Sequence, residues 1–408
     1  MNASVIVRWL VILAVGAGWA PASAVASASQ PTTESASAPA NASASLPIAS
    51  AATSSSTAAA SYLCSPQTQL RDERRCPAIG PSAARADLAR QGISPLRPLP
   101  ILGLDPDLSY VPFNYRKLDG DGTHLYSTAQ DAADGVGAAG SIDAGLVWVS
   151  WSECQGIDDR AVYLTASGYI RGGSDCKHTE MPSFHGLAFS RTPSGAFGWV
   201  LGTTDVRSAP GFTGPVVGQR YRFNREQVLE WAEADDLAWA RIGIDEWVAA
   251  KDVAVVTPDE TRPEGVEADR WISINLFEQT LAVYEDGRLV FATMVSAGLR
   301  GWWTQPGTFQ VYSKLERDDM AGAFEADRSD YYLLQDVPWV LYYDKARAMH
   351  GAYWHNGYGY ARSHGCVNLS PTDAHWLFDW AEEGTYVHVF DPSGQTPTDP
   401  KTYSEGGA

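Results

Sequence analysis

Residues 350–368 hold the side chains whose types and spacing best suit covalent chemistry. His350-Gly351-Ala352-Tyr353-Trp354-His355 is followed, across a loop rich in Gly and Tyr, by Ser363-His364-Gly365-Cys366-Val367-Asn368. A thiol with its ordinary pKa of about 8.5 is a poor nucleophile at neutral pH unless an imidazole or another positive group stabilises its thiolate. Two histidines lie close to Cys366 in sequence, and the Gly-rich loop can fold His350 back onto it. Gly365 lets the backbone approach a bound carbonyl, and neighbouring amides can form an oxyanion hole worth about 3–4 kcal/mol per donor. These are the parts of a Cys–His acyl-transfer site, provided that the thiol is reachable from solvent.

Other chemistry for the same residues is weaker. Three histidines and a cysteine are zinc-ligand types, but no H-E-x-x-H spacing occurs and no Glu or Asp stands among them. His364 and Cys366 are also too close in sequence for an easy shared tetrahedral geometry, so no metal is expected. An isolated cysteine is more often an inert core residue, and His355 reads as a loop or rim residue. The five cysteines are Cys64, Cys76, Cys154, Cys176 and Cys366. Proximity favours Cys64–Cys76 and Cys154–Cys176 among the three connectivities open to the first four, which leaves Cys366 as the lone thiol.

The elements that must position this site begin at Arg270. Trp271 to Leu276 and Gln279 to Tyr284 alternate around a turn, and Glu285-Asp286-Gly287-Arg288 is an Asp-Gly hairpin signal leading to Leu289-Val290-Phe291. Downstream, Ser370-Pro371-Thr372-Asp373 places an N-cap serine, a proline at the first helical position and an acid three residues on. Trp376, Leu377 and Trp380 share a helical face, Gly384 is a stop signal, and Thr385 to Phe390 reads as a strand. The spacing predicts one helix in an otherwise β domain.

Upstream, 110–257 is a series of short strands punctuated by Gly, Asp and Pro, among them Leu146 to Trp151, Ala161 to Leu164 and the hairpin from Trp239 to Val248. The run to Val256 resembles the closing strands of bacterial SH3-like modules, and 258–268 reads as a hinge. Residues 63–109 suggest short helices, with Ser82 an N-cap and Gly92 a stop. Residues 25–62 are almost wholly Ala, Ser, Thr and Pro and read as a flexible tether. Residues 1–24 combine Arg8, an apolar core from Trp9 to Val15 and an A-x-A site at Ala22-Ser23-Ala24, which describes a secretory signal peptide, a retained anchor being the alternative. Residues 393–408 form a tail.

A length of 408 residues implies two or three domains. With 45% hydrophobic residues the chain can bury cores, and a net charge of −18 argues against a nucleic-acid partner. An exported protein of the periplasm, cell wall or extracellular space is expected, acting as a monomer.

At His350-Gly351 and, twelve positions after Gly351, Ser363-His364-Gly365-Cys366-Val367-Asn368, the sequence resembles the YkuD-type L,D-transpeptidases, which cross-link peptidoglycan. The resemblance spans 269–392. Val337 to Tyr343 is similar to the strand before the family's histidine, and Trp302 to Phe309 to its Thr-Pro-x-Gly-x-Phe element, with the proline displaced by one position. The resemblance implies a mainly β fold, an L,D-transpeptidase catalytic domain with one helix after the cysteine, preceded by SH3-like β modules. It makes Cys366 the nucleophile and His350 the base, oriented by the Gly351 carbonyl. Gly365 and Cys366 amides would hold the oxyanion, His364 would give electrostatic support, and Ser363 and Asn368 would brace the loop. Trp339, Tyr343, Tyr353 and Trp354 would line a groove for peptidoglycan stem peptides or equally belong to the core, without any cofactor, while the SH3-like region binds the wall. Wall-cleaving cysteine peptidases of the NlpC/P60 type place Cys before His, the reverse of the order here. Water in place of an amine acceptor would give an L,D-carboxypeptidase, and a dead catalytic domain would leave a wall-binding surface protein.

Overall fold

The alternating stretch from Arg270 builds the central sheet. In this computed structural model, which describes residues 98–403, Arg270–Asn275, Thr280–Glu285 and Arg288–Met294 pair as an antiparallel meander. Asp286 and Gly287 both take positive φ, 53° and 71°, as the tight two-residue turn demands. The full seven-stranded order is Ile101–Leu102, Leu187–Phe189, Arg288–Met294, Thr280–Glu285, Arg270–Asn275, Tyr386–Phe390, Gly307–Gln310. A register shift opposite Val283 and Tyr284 turns Leu289 and Phe291 to opposite faces. The signal peptide, the tether, the Ser82–Gly92 helix and the Cys64–Cys76 pair fall outside the described residues.

A second sheet of six strands carries Arg347–Gly351 and, parallel to it, Val367–Leu369. Its other members are Asn114–Lys117, Leu146–Trp151, Tyr332–Asp344 and Ser313–Gly322. The main core lies between the sheets. Ile272, Ile274, Leu281 and Val283 meet Leu341, Met349, Val367 and Leu369, and Ala374 and Leu377 of the helix complete it. Each such buried aliphatic contributes about 1.5–3 kcal/mol. The helix Pro371–Trp380 starts as expected, with the Ser370 side chain accepting from the Asp373 amide, but it stops at an Ala381 cap, short of Gly384. A second, short helix, Ala129–Asp134, was not expected from the sequence; Thr128 caps it and Gly135, in the left-handed region, ends it.

The region expected to be SH3-like is rich in strands, including a five-stranded sheet built between Thr204 and Ala249, but it does not stand apart from the segment beyond 269. Leu146–Trp151 pairs in parallel with Tyr332–Asp344, and Leu187–Phe189 extends the central sheet beside Arg288–Met294. The sheets therefore run across the boundary drawn at 257–269. Parallel pairing joins segments far apart in sequence and leaves no local turn signal. Within the expected hinge, Val266 is buried and the Glu264 carbonyl accepts from Thr308. The chain beyond 392 also packs, with Thr396 and Tyr403 buried.

Candidate active site

The strand Arg347–Gly351 alternates between two cores. Met349 faces the main core with Val367 and Leu369. Ala348 and Cys366 face the opposite side, among Tyr115, Trp148, Tyr332, Val340 and Tyr353. The register pairs Met349 with Val367 and His350 with Asn368, so His350, Asn368 and Cys366 share this second face. The Ala348 N–H donates to Cys366 Sγ at 3.4 Å. Strand spacing and rise put the His350 and Cys366 backbones roughly 8 Å apart on the diagonal, a gap that a thiol and an imidazole on one face can span.

Both groups are buried, each with 1% of its surface exposed. Cys366 is in no disulfide, but its thiol is not open to solvent, contrary to the expectation. Burial pushes the thiol up to about 11, against the opposing influence of the Ala348 amide and the Arg347 charge. Arg347 is itself buried, in an ion pair with Asp344 at 2.9 Å. Burial also pulls His350 down to about 3, and the Gly351 backbone opposes that only in part. The Gly351 backbone thus favours the protonated ring, but no described acceptor meets Nδ1 in full hydrogen-bond geometry, so the orienting bond expected from the Gly351 carbonyl is not formed. At neutral pH the pair is a neutral thiol beside a neutral imidazole.

The nucleophile turn is held from several directions. Ser363 Oγ donates to the Cys366 carbonyl at 2.5 Å and accepts from the Gly365 N–H at 3.1 Å. The Gly365 amide, expected in an oxyanion hole, is thus engaged by Ser363. Gly365 has φ +123°, where a side chain is strained, and a Cβ there would stand 3.1 Å from Arg347 Nε. Its carbonyl accepts from Thr304 Oγ1 at 2.8 Å. Thr304 stands in the Trp302 to Phe309 element, yet its contact with the turn crosses 61 residues and had no local signal. Ser296 exchanges two backbone hydrogen bonds with Asn368, both 2.9 Å.

His355 lies in a loop and is half-buried, in keeping with a loop or rim residue. Its ring is pulled down to about 3, by burial first and then by the charges of Arg362 and His350. The Gly357 N–H donates to Nδ1 at 3.1 Å, and Nε2 lies 3.0 Å from the Asn368 side-chain amide. A donor at Nδ1 leaves the proton of the neutral ring on Nε2; the atom facing it is Asn368 Nδ2, and exchanging the amide's nitrogen and oxygen would give both that proton and the unpartnered Oδ1 a partner. The Asn368 side chain thus meets the ring of His355.

The remaining candidates divide. His364 stacks on Tyr332 and Phe324, with centroids at 5.2 and 5.0 Å, and meets the edge of Trp302 at 4.6 Å. Burial lowers its pKa, with Asp330 opposing, so it works as an aromatic clamp more than as a cation. Trp354 lies 5.6 Å from the His350 ring. Tyr353 is buried, stacked on Tyr115 at 3.5 Å and donating to the Gln335 carbonyl. Tyr343 belongs to the main core, edge-on to Phe309. Trp339 stacks on His375 of the helix at 3.9 Å. Groove-lining roles for Tyr343, Tyr353 and Trp339 are therefore corrected to packing roles. Cys154 and Cys176 form the expected disulfide.

A thiol outside any disulfide and a buried imidazole lie on one face of two hydrogen-bonded strands, with the turn between them pinned by hydroxyls, the arrangement that cysteine acyl transfer requires. Residues 269–389 match the YkuD family model, the L,D-transpeptidase catalytic domain. L,D-transpeptidase 1 of Mycobacterium tuberculosis is 32% identical over 173 residues, which cover 40% of this chain and 65% of that protein. The chain thus spans under two thirds of the length of that curated relative. Among solved structures, an L,D-transpeptidase from Stackebrandtia nassauensis is 28% identical, covering 31% of this chain and 59% of its own, at a TM-score of 0.25. The catalytic domain of the E. faecium L,D-transpeptidase is 27% identical over 31% of this chain and 100% of its own, at a TM-score of 0.27.

Proposed function

We propose that the protein is an exported cysteine L,D-transpeptidase that cross-links peptidoglycan stems. The observation that carries this reading is the unbridged Cys366 on the same sheet face as His350, within the segment that matches the transpeptidase family. As the thiol attacks the L-centred carbonyl before the terminal D-residue of a tetrapeptide stem, His350 takes the thiol proton. The tetrahedral intermediate collapses, the proton passes to the departing D-amino acid, and a thioester remains. An amine of a second stem attacks the thioester and gives a proton to His350; loss of the thiolate completes the cross-link, and reprotonation restores the thiol. A neutral pair suits this cycle, because the proton moves only as the sulfur attacks.

The Cys154–Cys176 disulfide supports export, since such bridges persist in oxidising compartments. Mass spectrometry of products from purified tetrapeptide muropeptides tests the proposal: cross-linked dimer and free D-amino acid are expected, both lost in Cys366→Ala. Tripeptide without dimer would replace the transferase reading with a carboxypeptidase.

A further inference from the structure

Behind the nucleophile turn lies a pocket of about 330 Å³ lined by Arg222, His355, Asn356, Gly357, Tyr360 and Arg362. Its floor belongs to the site already described, for His355 meets the Asn368 amide and Arg362 directly precedes Ser363. One wall comes from elsewhere: Arg222 lies in the turn between the strands Val216–Arg220 and Arg225–Gln227.

Arg222 reaches across to donate to the carbonyls of Asn356 and Tyr358, each at 2.9 Å, and to that of Leu201. These bonds brace the loop 356–358, but carbonyls carry no net charge. Arg362 lies over Gly357, where a Cβ would overlap its Nε. Burial is the main influence against the charged form of Arg222; Tyr360 opposes it, and the Arg362 charge adds to it, so the two guanidiniums feel each other. Among the described residues neither forms an ion pair with a carboxylate, although the chain carries 48 acidic residues. The pocket's imidazole, His355, is neutral. Two like charges held together without a counter-charge are unfavourable, and a planar carboxylate bound by paired guanidiniums relieves them.

We infer that this pocket binds a carboxylate of the peptide substrate, with Arg362 and Arg222 as specificity-determining residues. The inference rests on the transpeptidase reading for the identity of the peptide, but not for the existence of the anion site. It also gives the preceding β region a task, completing the site from behind. A carboxylate seated here anchors the stem about the Cys366 turn, and a carboxamide at the same place leaves the charge pair uncompensated.

Two measurements on the full chain separate the claims. Phenylglyoxal modification of Arg222 and Arg362, followed by mass spectrometry, is expected to slow in the presence of glutarate and not of glutaramide at matched ionic strength. This arm needs no enzymatic activity, so it decides the anion site even if transpeptidation fails. In the second arm, tetrapeptide stems with free and with amidated carboxylates are compared as substrates. Exposed Arg362 changed to Gln is expected to lower the preference for the carboxylate stem about tenfold, the effect of one charge-assisted hydrogen bond, mainly through KM. Arg222→Lys, which keeps the charge, is expected to retain part of that preference. Failure of glutarate to protect either arginine overturns the anion site. Protection by glutarate with no change of preference in Arg362→Gln overturns the assignment to the peptide substrate.

Discussion

The Ala348 N–H points at Cys366 Sγ from 3.4 Å, which ties the nucleophile to the strand that carries His350 two residues on. This contact fixes the face on which the sulfur lies and adds one donor to favour its thiolate. Burial outweighs it, with the thiol pushed up to about 11.

Alkylation of Cys366 by iodoacetamide is therefore expected to be slow at pH 7 and to accelerate steadily toward pH 11, because only the thiolate reacts. Mass spectrometry of the modified peptide across that range checks it. A rate that levels off below about 8.5, the value of an ordinary thiol, would show that the resting sulfur is an activated thiolate and that the neutral pair is wrong.

Two histidines, His350 buried and His355 half-buried, make the fold sensitive to acid. His350 and His355 both fall to about 3 in the folded chain from 6.5. With the folded pKa depressed, their contribution to stability is present above pH 6.5 and is lost as pH falls toward 3. The urea midpoint is expected to drop between pH 7 and pH 4, and His355→Gln, which can still meet Gly357 and Asn368, is expected to flatten that slope. An unchanged slope in the variant would remove His355 from the account.

How much of the structure was legible depends on the range of each interaction. The Asp286-Gly287 turn, the Ser370-Pro371 helix start and the Cys154–Cys176 bridge were readable because each is encoded within a few positions or by plain proximity. The residues of the site were readable as a motif, but not their surroundings. Thr304 and Ser296 reach the turn from more than 60 residues away. The place of Trp339 in the packing was not legible for a different reason. Asp336 and Trp339 take positive φ within the strand Tyr332–Asp344, and the pairing slips opposite it between Asp318 and Met320, so a simple period of two assigns faces wrongly there.

The clamp around His364 predicts a selective tolerance. Phe keeps the stack with Phe324 and Tyr332 and the edge contact with Trp302, losing only a ring that burial already holds neutral. His364→Phe is expected to cross-link stems at a rate within about threefold of the parent, whereas His364→Ala loses stacking worth about 0.5–1.5 kcal/mol per pair and lowers the thermal midpoint. If His364→Phe were as inactive as Cys366→Ala, the imidazole itself would have a chemical role.

Asp373 sets an opposing dependence. It is fully buried, where it accepts from the Gly186 N–H at 2.8 Å and from Thr293 Oγ1 at 2.6 Å, and burial still raises it to about 6 from 3.8. With the folded pKa raised, its contribution is present below pH 3.8 and is lost as pH rises through about 6, the reverse of the histidines. In Asp373→Asn the amide oxygen still accepts from Gly186, the NH2 donates to Thr293 Oγ1, and the Thr293 hydroxyl turns to the Met294 carbonyl 3.3 Å away. The variant is expected to equal or exceed the parent at pH 7, by up to about 3 kcal/mol for a shift of this size, and to lose that advantage at pH 4. Subtracting the two urea-stability curves cancels the histidine effect and isolates this carboxyl. A variant that is weaker at pH 7 than at pH 4, relative to the parent, would mean that the charged form is the one the fold is built to hold.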